Sequence, residues 1–236
     1  FKNIKKFFSS LNFYDKMTVY NDDVKKQMIN YKLIDPKKIH TIGFPRIKKL
    51  QKKENAKKTI LYFTIHPTAG IGGTNHKLNW NNLISKIEKF LVLYMQKNPE
   101  IKLIIKSKIG NYNKGLDEIS KRYSNIEYFH TGDAQDFIPK ANVVIGFNST
   151  SIYESIYSNK NVLIPMLDLK KKNMKYVHEY PSDLICKTTR VFEKKLDIIL
   201  KQKQKNHKKD LYKIIINKYL GDPKKAKKNL VKILDD

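Results

Sequence analysis

The amino-acid sequence predicts an α/β protein built on a doubly wound, Rossmann-like parallel sheet with a helical C-terminal tail. Two observations predict it. Short runs of Ile, Val and Leu alternate with helical stretches along the chain, and several of these runs are apolar at almost every position. Strands covered on both faces of a parallel sheet have such continuous apolar runs. Regular alternation of strand and helix is typical of doubly wound domains.

Seven apolar runs are predicted as strands, and five helical patterns lie among them. The predicted strands are MTVY (17–20), IHTIG (39–43), ILYFTIH (60–66), KLIIKSK (102–108), IEYFH (126–130), VVIGF (143–147) and NVLIPM (161–166). The predicted helices are Asp22–Tyr31, Trp80–Met95, Gly115–Tyr123, Asp133–Pro139 and Thr150–Tyr157. We expect residues 60–166 to form one parallel sheet of five or more strands, with helices on both faces and the 143–147 run away from the edge.

The domain organisation follows from where this pattern starts, pauses and ends. The polar stretch QKKENAKK (51–58) predicts a linker between residues 1–50 and an α/β domain at 59–190. Residues 1–50 hold one strand–helix–strand, too small for a core, so we expect them to be the end of a larger N-terminal domain. A short apolar run at 184–186 precedes C-terminal helices within 191–236, predicted at 191–204, 207–219 and 223–234.

The composition argues against several classes of protein function. No run reaches the ~18 apolar residues of a membrane span, and no signal peptide is recognisable at the start. Cys186 is the single cysteine, which suits a reducing cytoplasm and favours a small buried side chain. The net charge of +26 comes almost entirely from lysine, with arginine only at 46, 122 and 190. Nucleic-acid recognition draws heavily on arginine, so a solvated lysine surface is favoured, with attraction to an anionic membrane surface as a secondary consequence.

Candidate binding residues follow four of the predicted strands. In doubly wound sheets, ligands bind beyond the carboxyl ends of the strands. His66 ends the 60–66 strand, and Gly72 and Gly73 follow it. Lys106 and Lys108 lie at the end of the 102–108 strand, and Thr131 and Asp133 follow the 126–130 strand. Asn148, Ser149 and Thr150 follow the 143–147 strand, and Glu154 lies about one turn into the next helix. No metal-ligand spacing is recognisable among the histidines.

Each residue also has a purely structural explanation. The Gly-rich loop lacks a full dinucleotide fingerprint, the lysines could be solvated strand ends, and Ser149 or Thr150 could simply cap a helix. Glu154 could complement the helix dipole. Their convergence on one sheet edge nevertheless favours a site for phosphate and sugar hydroxyls at the start of a helix.

Three segments resemble a known group of enzymes. NSTSIYESIYSNKNVLIP (148–165) resembles the strand, hydroxyl packet, Glu-bearing helix and strand of GT-B fold glycosyltransferases of bacterial capsule and surface-polysaccharide synthesis. IGFPR (42–46) is similar to the end of the N-terminal domain in CDP-glycerol glycerophosphotransferases, and YLGDPKKAKKNLVKIL resembles the closing element of the family. The sequence departs from the family where Lys224 and Lys225 replace an acid and a glycine, and where IIKSK lacks the His or Arg of relatives.

The resemblance implies that residues 59–190 are the C-terminal, nucleotide-sugar-binding domain of a GT-B enzyme, with residues 1–50 on the acceptor side. It implies that Ser149, Thr150, Lys106 and Lys108 hold the donor phosphates without a metal, and that Glu154 accepts hydrogen bonds from the ribose. Asn148, His66, Gly72, Gly73, Thr131 and Asp133 would line the pocket, and the catalytic residues stay unassigned. It also implies that the final helices cross back toward residues 17–43.

The implied function is transfer of a sugar from a nucleotide-activated donor to a glycan or lipid-linked acceptor. The expected location is the cytoplasm or the inner face of the cell membrane, with no cofactor beyond the donor and no nucleic-acid partner. Two enzyme alternatives are a CDP-glycerol-type glycerophosphotransferase and a UDP-sugar 2-epimerase, although Ser149-Thr150-Ser151 and Glu154-Ser155 lack the Ser-Gly-Gly and paired acids of the epimerases. The non-enzyme alternative is a basic nucleic-acid-binding α/β domain.

Overall fold

The computed structural model describes residues 14–47, 49–51, 58–64, 80–147, 149–168, 180–201 and 209–235. The chain divides into two compact units. The small unit comprises Phe1–Lys48 and Lys209–Asp236, and the sheet unit comprises Lys49–Lys208. Most of the predicted 51–58 linker lies outside the described residues.

The sheet unit contains six parallel strands. They are β3 (Thr59–Phe63), β4 (Lys102–Lys106), β5 (Ile126–Phe129), β6 (Val143–Ile145), β7 (Asn161–Pro165) and β8 (Ile185–Cys186). The spatial order is β5-β4-β3-β6-β7-β8, with Leu61 of β3 between Ile104 and Val144. The sheet therefore grows in both directions from the β3–β6 pair. This is the topological switch point at which doubly wound sheets bind ligands.

Helices connect these strands and cover the sheet. They are α2 (Trp80–Lys97), α3 (Lys114–Arg122), α4 (Ala134–Phe137), α5 (Thr150–Tyr157) and α6 (Thr189–Lys201). All five residues of β3 are buried, as expected for a central strand covered on both faces. Because such crossovers are right-handed, α2 and α3 lie on one face and α4 and α5 on the other. Phe90 of α2 stacks on Phe192 of α6, with ring centroids 4.6 Å apart, so α6 joins the α2 face.

The expected fold class and sheet are confirmed. All seven predicted strands exist, and β6 lies between β3 and β7 rather than at an edge. The short apolar run at 184–186 adds β8, a sixth strand that no strand prediction included, and Cys186 within it is completely buried. β3 and β4 end earlier than predicted, at Phe63 and Lys106. This places Thr64 and Ser107 in the loops that follow them.

The small unit has its own sheet and core. Its two parallel strands are β1 (Met17–Val19) and β2 (Ile39–Thr41), connected through α1 (Asp22–Asn30), and its chain end adds α7 (Lys209–Leu220) and α8 (Ala226–Asp235). Buried Val19, Met28, Ile34 and Ile39 form one apolar cluster. The strand–helix–strand piece is therefore supplemented by two helices that are distant in sequence.

Of the helices after Arg190, α7 and α8 pack against the N-terminal segment as expected, whereas α6 belongs to the sheet unit. The Asn21 side chain donates to the Tyr219 carbonyl over 3.0 Å, and the Phe44 amide donates to the Leu220 carbonyl over 2.9 Å. The Asn229 side chain donates to the Ile42 carbonyl over 3.3 Å. The long sequence separation of these partners ties the two ends of the chain into one unit.

Candidate functional site

A cavity of about 410 Å³ lies at the carboxyl ends of the central strands. Four chain segments line it: the end of β3, the loop after β4, the loop between β5 and α4, and the start of α5. Three of these segments follow β3, β4 and β6, which are adjacent in the sheet. The cavity thus occupies the switch point that strand order alone identifies as a ligand site.

The start of α5 presents hydroxyls and a helix N-terminus to this cavity. Ser149 has an extended backbone and caps the helix, because its hydroxyl accepts a 3.3 Å hydrogen bond from the Ser151 amide. Ser149, Thr150 and Ser151 all line the cavity. A helix N-terminus carries partial positive charge and unpaired N–H groups, so this wall suits an anion.

The end of β4 and the loop after it supply positive charge. Lys106 and Lys108 both line the cavity, with Lys108 exposed and Lys106 almost completely buried. The Lys106 ammonium donates to the Ser107 carbonyl and lies 5.9 Å from the centre of the Phe137 ring. Burial lowers the pKa of Lys106 below its usual value, and attraction to Asp133 opposes that shift. A phosphate entering the cavity would add further negative charge beside this amine and favour its charged form.

Sequence reasoning missed two hydroxyls in the lining of the cavity. The Thr64 and Ser107 hydroxyls lie 2.9 Å apart across the ends of β3 and β4, and both line the cavity. Both residues lie within the runs predicted as strands, at 60–66 and 102–108, which predict a place in the sheet rather than in a site. The signal that could have identified them is the change from apolar to small polar residues at the end of each run.

Glu154 is not among the residues that line the cavity. It is 8% exposed on α5, and its Oε1 accepts a 3.2 Å hydrogen bond from the Gln135 side chain of α4. A hydrogen bond of this kind fixes the orientation of the carboxylate. The contact of Gln135 with Glu154 has no counterpart in the sequence analysis, because nothing in the sequence pairs α4 with α5.

The remaining predicted residues divide into two groups. Asp133 lines the cavity and caps α4, while the exposed Thr131 precedes it in the same loop but is not among the lining residues. Asn148, His66, Gly72 and Gly73 lie outside the described residues. In the described part of the chain, no three His, Cys, Asp or Glu side chains are grouped so that they could hold a metal ion. None of the described helices has the length and apolar character needed to cross a membrane.

Comparison with known proteins gives structural similarity without sequence similarity. No family model matches the sequence, and no curated protein matches it. Among solved structures, a putative UDP-N-acetylglucosamine 2-epimerase from Listeria monocytogenes superposes with a TM-score of 0.56 at 15% identity, covering 93% of this chain and 59% of the other. The pneumococcal O-GlcNAc transferase GtfA in complex with UDP and GlcNAc gives 0.56 at 15% identity, covering 97% and 47%.

A third similar structure is Anabaena Alr3699/HepE in complex with UDP-glucose, with a TM-score of 0.54, 10% identity, and coverage of 100% of this chain and 68% of the other. At these identities the similarity shows the fold. The chain has the doubly wound, Rossmann-like architecture expected for the C-terminal domain of a GT-B protein. The chain spans about half to two thirds of the length of these three solved structures.

Proposed function

We propose that the sheet unit binds the nucleotide part of a nucleotide-activated sugar, and that the protein is a glycosyltransferase-like enzyme of bacterial surface polysaccharide synthesis. The observation that supports this most is the convergence of a helix N-terminus, hydroxyls and two lysines on one cavity at the switch point. Two of the similar structures hold UDP or UDP-glucose. Transfer to a glycan or lipid-linked acceptor at the cytoplasmic face of the membrane completes the proposal.

In this proposal the donor diphosphate lies against the start of α5. The Ser149 and Thr150 hydroxyls and the first amides of the helix donate to its oxygens, and Lys108 supplies positive charge from the loop after β4. Lys106 adds a second ammonium from inside the wall. Fixed donors of this kind stabilise the negative charge that develops on a leaving nucleotide diphosphate, so no metal is required.

Glu154 is assigned to the ribose hydroxyls. A carboxylate can accept two hydrogen bonds from adjacent hydroxyls, and its buried position strengthens such bonds. Its 8% exposure requires the ribose to enter beside α4 and α5, where Gln135 holds one carboxylate oxygen. Gln135 would therefore position Glu154 for the ribose.

Titration of the folded chain with UDP, CDP, UMP, CMP and the two nucleosides tests the proposal. Glu154→Gln should weaken every nucleotide about tenfold or more, because a charged hydrogen bond contributes about 1.5–3 kcal/mol and 1.4 kcal/mol is a factor of ten. Ser149→Ala and Thr150→Ala should weaken the diphosphates more than the nucleosides, and added salt should do the same. A chelator should leave the affinities unchanged.

Asn113→Ala is the matched control for the helix cap. Asn113 caps α3 in the same unit by accepting from the Leu116 amide, yet it does not line the cavity. Its loss should cost about 1 kcal/mol of stability, like that of Ser149, with no change in nucleotide affinity. If the Ser149, Thr150 and Glu154 variants likewise lose stability but keep their nucleotide affinity, the segment is only a well-capped helix and the proposal is wrong.

The nucleotide panel also separates the alternative functions. A preference for CDP over UDP would favour a CDP-glycerol-type donor and a glycerophosphotransferase. The structural similarity to a 2-epimerase gives the other alternative a specific basis. Incubation with UDP-N-acetylglucosamine, followed by proton NMR of the C2 configuration, decides it, since a transferase leaves that configuration unchanged.

A further inference from the structure

The final helix, α8, has a fixed orientation in the small unit. Ala226 and Ile233 are buried on its inner side. The Asn229 side chain donates to the Ile42 carbonyl over 3.3 Å, and the Lys16 ammonium donates to the Ile233 carbonyl over 2.6 Å. These contacts fix the rotation of α8 about its own axis. The residues on its outer side therefore form a defined surface.

That surface combines aliphatic and cationic side chains. Val231 is 55% exposed and Leu234 is 74% exposed. At 3.6 residues per turn, Lys227, Val231 and Leu234 lie within about 60° of one another around the axis. Lys228 and Lys232 are exposed on the adjacent flank. We call these five residues the α8 outer face. Asp235, the one acid in α8, is exposed and lies on the same side of the helix, between Val231 and Lys228 around the axis.

Single exposed aliphatic residues are ordinary on protein surfaces. Here two lie one turn apart and are accompanied by three lysines, whose methylene stems can lie on hydrocarbon while the ammonium groups reach outward. A helix with aliphatic residues on one side and lysines beside them is typical of helices that lie in the plane of a membrane interface. The +26 charge of the chain adds attraction to anionic lipids.

We propose that the α8 outer face binds an anionic lipid bilayer, with Val231 and Leu234 at the level of the upper acyl chains and the lysines at the lipid phosphates. The helix lies on the surface, because its ten residues are about half the length of a membrane span. This proposal is independent of nucleotide binding. It gives the small unit a specific membrane-contacting helix.

The test is cosedimentation of the full chain with vesicles. One vesicle set contains equal parts of phosphatidylcholine and phosphatidylglycerol, and the other contains phosphatidylcholine alone. The wild-type chain should bind the anionic vesicles and not the neutral ones, and added salt should weaken binding. A lysine near an anionic surface strengthens binding about fivefold, and insertion of an aliphatic side chain adds at least a similar factor. K227Q/V231S should therefore bind at least about 25-fold more weakly, because the two factors multiply.

K89Q/L93S is a matched control, because Lys89 and Leu93 are exposed and four residues apart on α2 in the sheet unit. It removes the same charge and a comparable aliphatic side chain, and it should bind like wild type. Equal weakening in both variants would assign binding to the total charge of the chain and overturn the proposal, as would wild-type binding to neither vesicle or to both equally. A dimer in sedimentation velocity that only K227Q/V231S dissociates, with vesicle binding unchanged, would assign the face to self-association and also overturn it.

Discussion

Gly221→Ala should be among the most destabilising single substitutions of the small unit. Gly221 has a φ of +65°, and a Cβ on it would lie 2.1 Å from the Tyr20 carbonyl oxygen. Gly43 faces the same crossing, where a Cβ would lie 2.5 Å from the Asp222 carbonyl oxygen. Both neighbours are backbone atoms, so no side-chain rotation can relieve the overlap. The two chain segments pass too closely for any side chain larger than hydrogen.

The loss in free energy of unfolding expected for Gly221→Ala has two parts. An alanine in the left-handed region costs about 1–2 kcal/mol. Moving the segments apart should also break the adjacent hydrogen bonds from Asn21 to the Tyr219 carbonyl and from Phe44 to the Leu220 carbonyl, 3.0 and 2.9 Å long. Each such bond contributes about 0.5–1.5 kcal/mol. The expected loss in free energy of unfolding is therefore about 2–5 kcal/mol.

Hydrogen exchange measured by mass spectrometry is the appropriate assay, because it reports the two units separately. Peptides from β1, β2, α7 and α8 should exchange about thirtyfold faster or more in Gly221→Ala, while peptides from β3 and β6 keep their protection. Gly110→Ala is the control: Gly110 has a φ of +84°, but a Cβ there would meet no atom within 4 Å. It should lose only the conformational part, about 1–2 kcal/mol. Equal losses in the two variants, or unchanged exchange in the small unit, would refute the steric argument.

Two further predictions concern buried charge in the sheet unit. Burial raises the pKa of Glu88 to about 7 in the folded state. The stability that the protonated carboxyl contributes is therefore complete below its usual pKa and is lost as the pH rises through 7. In urea unfolding from pH 4 to pH 8, the free energy of unfolding should change less with pH in Glu88→Gln than in the wild type, and parallel profiles would contradict the shift. Lys160 is 6% exposed, and its ammonium donates to the Pro139 and Ala141 carbonyls over 2.7 and 2.9 Å. Lys160→Met keeps the length of the side chain but removes its donors, and it should lower the free energy of unfolding by about 1.5–3 kcal/mol. The control Lys187→Met, at an exposed position, should change it by less than about 0.5 kcal/mol. Equal effects would show that the buried ammonium does not stabilise the fold.

The sheet could be predicted because its strands are buried on both faces. β3 and β6 are apolar at nearly every position, and that property is visible in the letters alone. The ends of the strands could not be predicted as well. Lys106 is a buried strand residue with a charged side chain, and Ser107 is buried immediately after it, so burial continues where the strand pairing stops. Hydrophobicity therefore does not distinguish a buried residue that is paired in the strand from a buried residue in the loop after it.

The candidate site could be predicted only in part, for a related reason. Its positions after the strands follow from topology, and Ser149, Thr150, Lys106, Lys108 and Asp133 do line one cavity. The position of Glu154 depends on how α4 packs beside α5, through a contact between residues 135 and 154. Side-chain orientation across two helices is set by tertiary packing, and a single sequence contains no measure of it.

The lysines explain why net charge alone gives little information about function in this chain. The +26 charge is one number, but the structure places its sources in environments with different chemistry. Lys160 is inside the fold, where its ammonium donates to two backbone carbonyls, and Lys106 is inside the wall of a cavity. Lys227 and Lys232 are exposed beside aliphatic residues. Removing Lys160 should lower the stability of the sheet unit, removing Lys108 should weaken nucleotide binding, and removing Lys227 should weaken membrane binding, although the change in net charge is identical in each case.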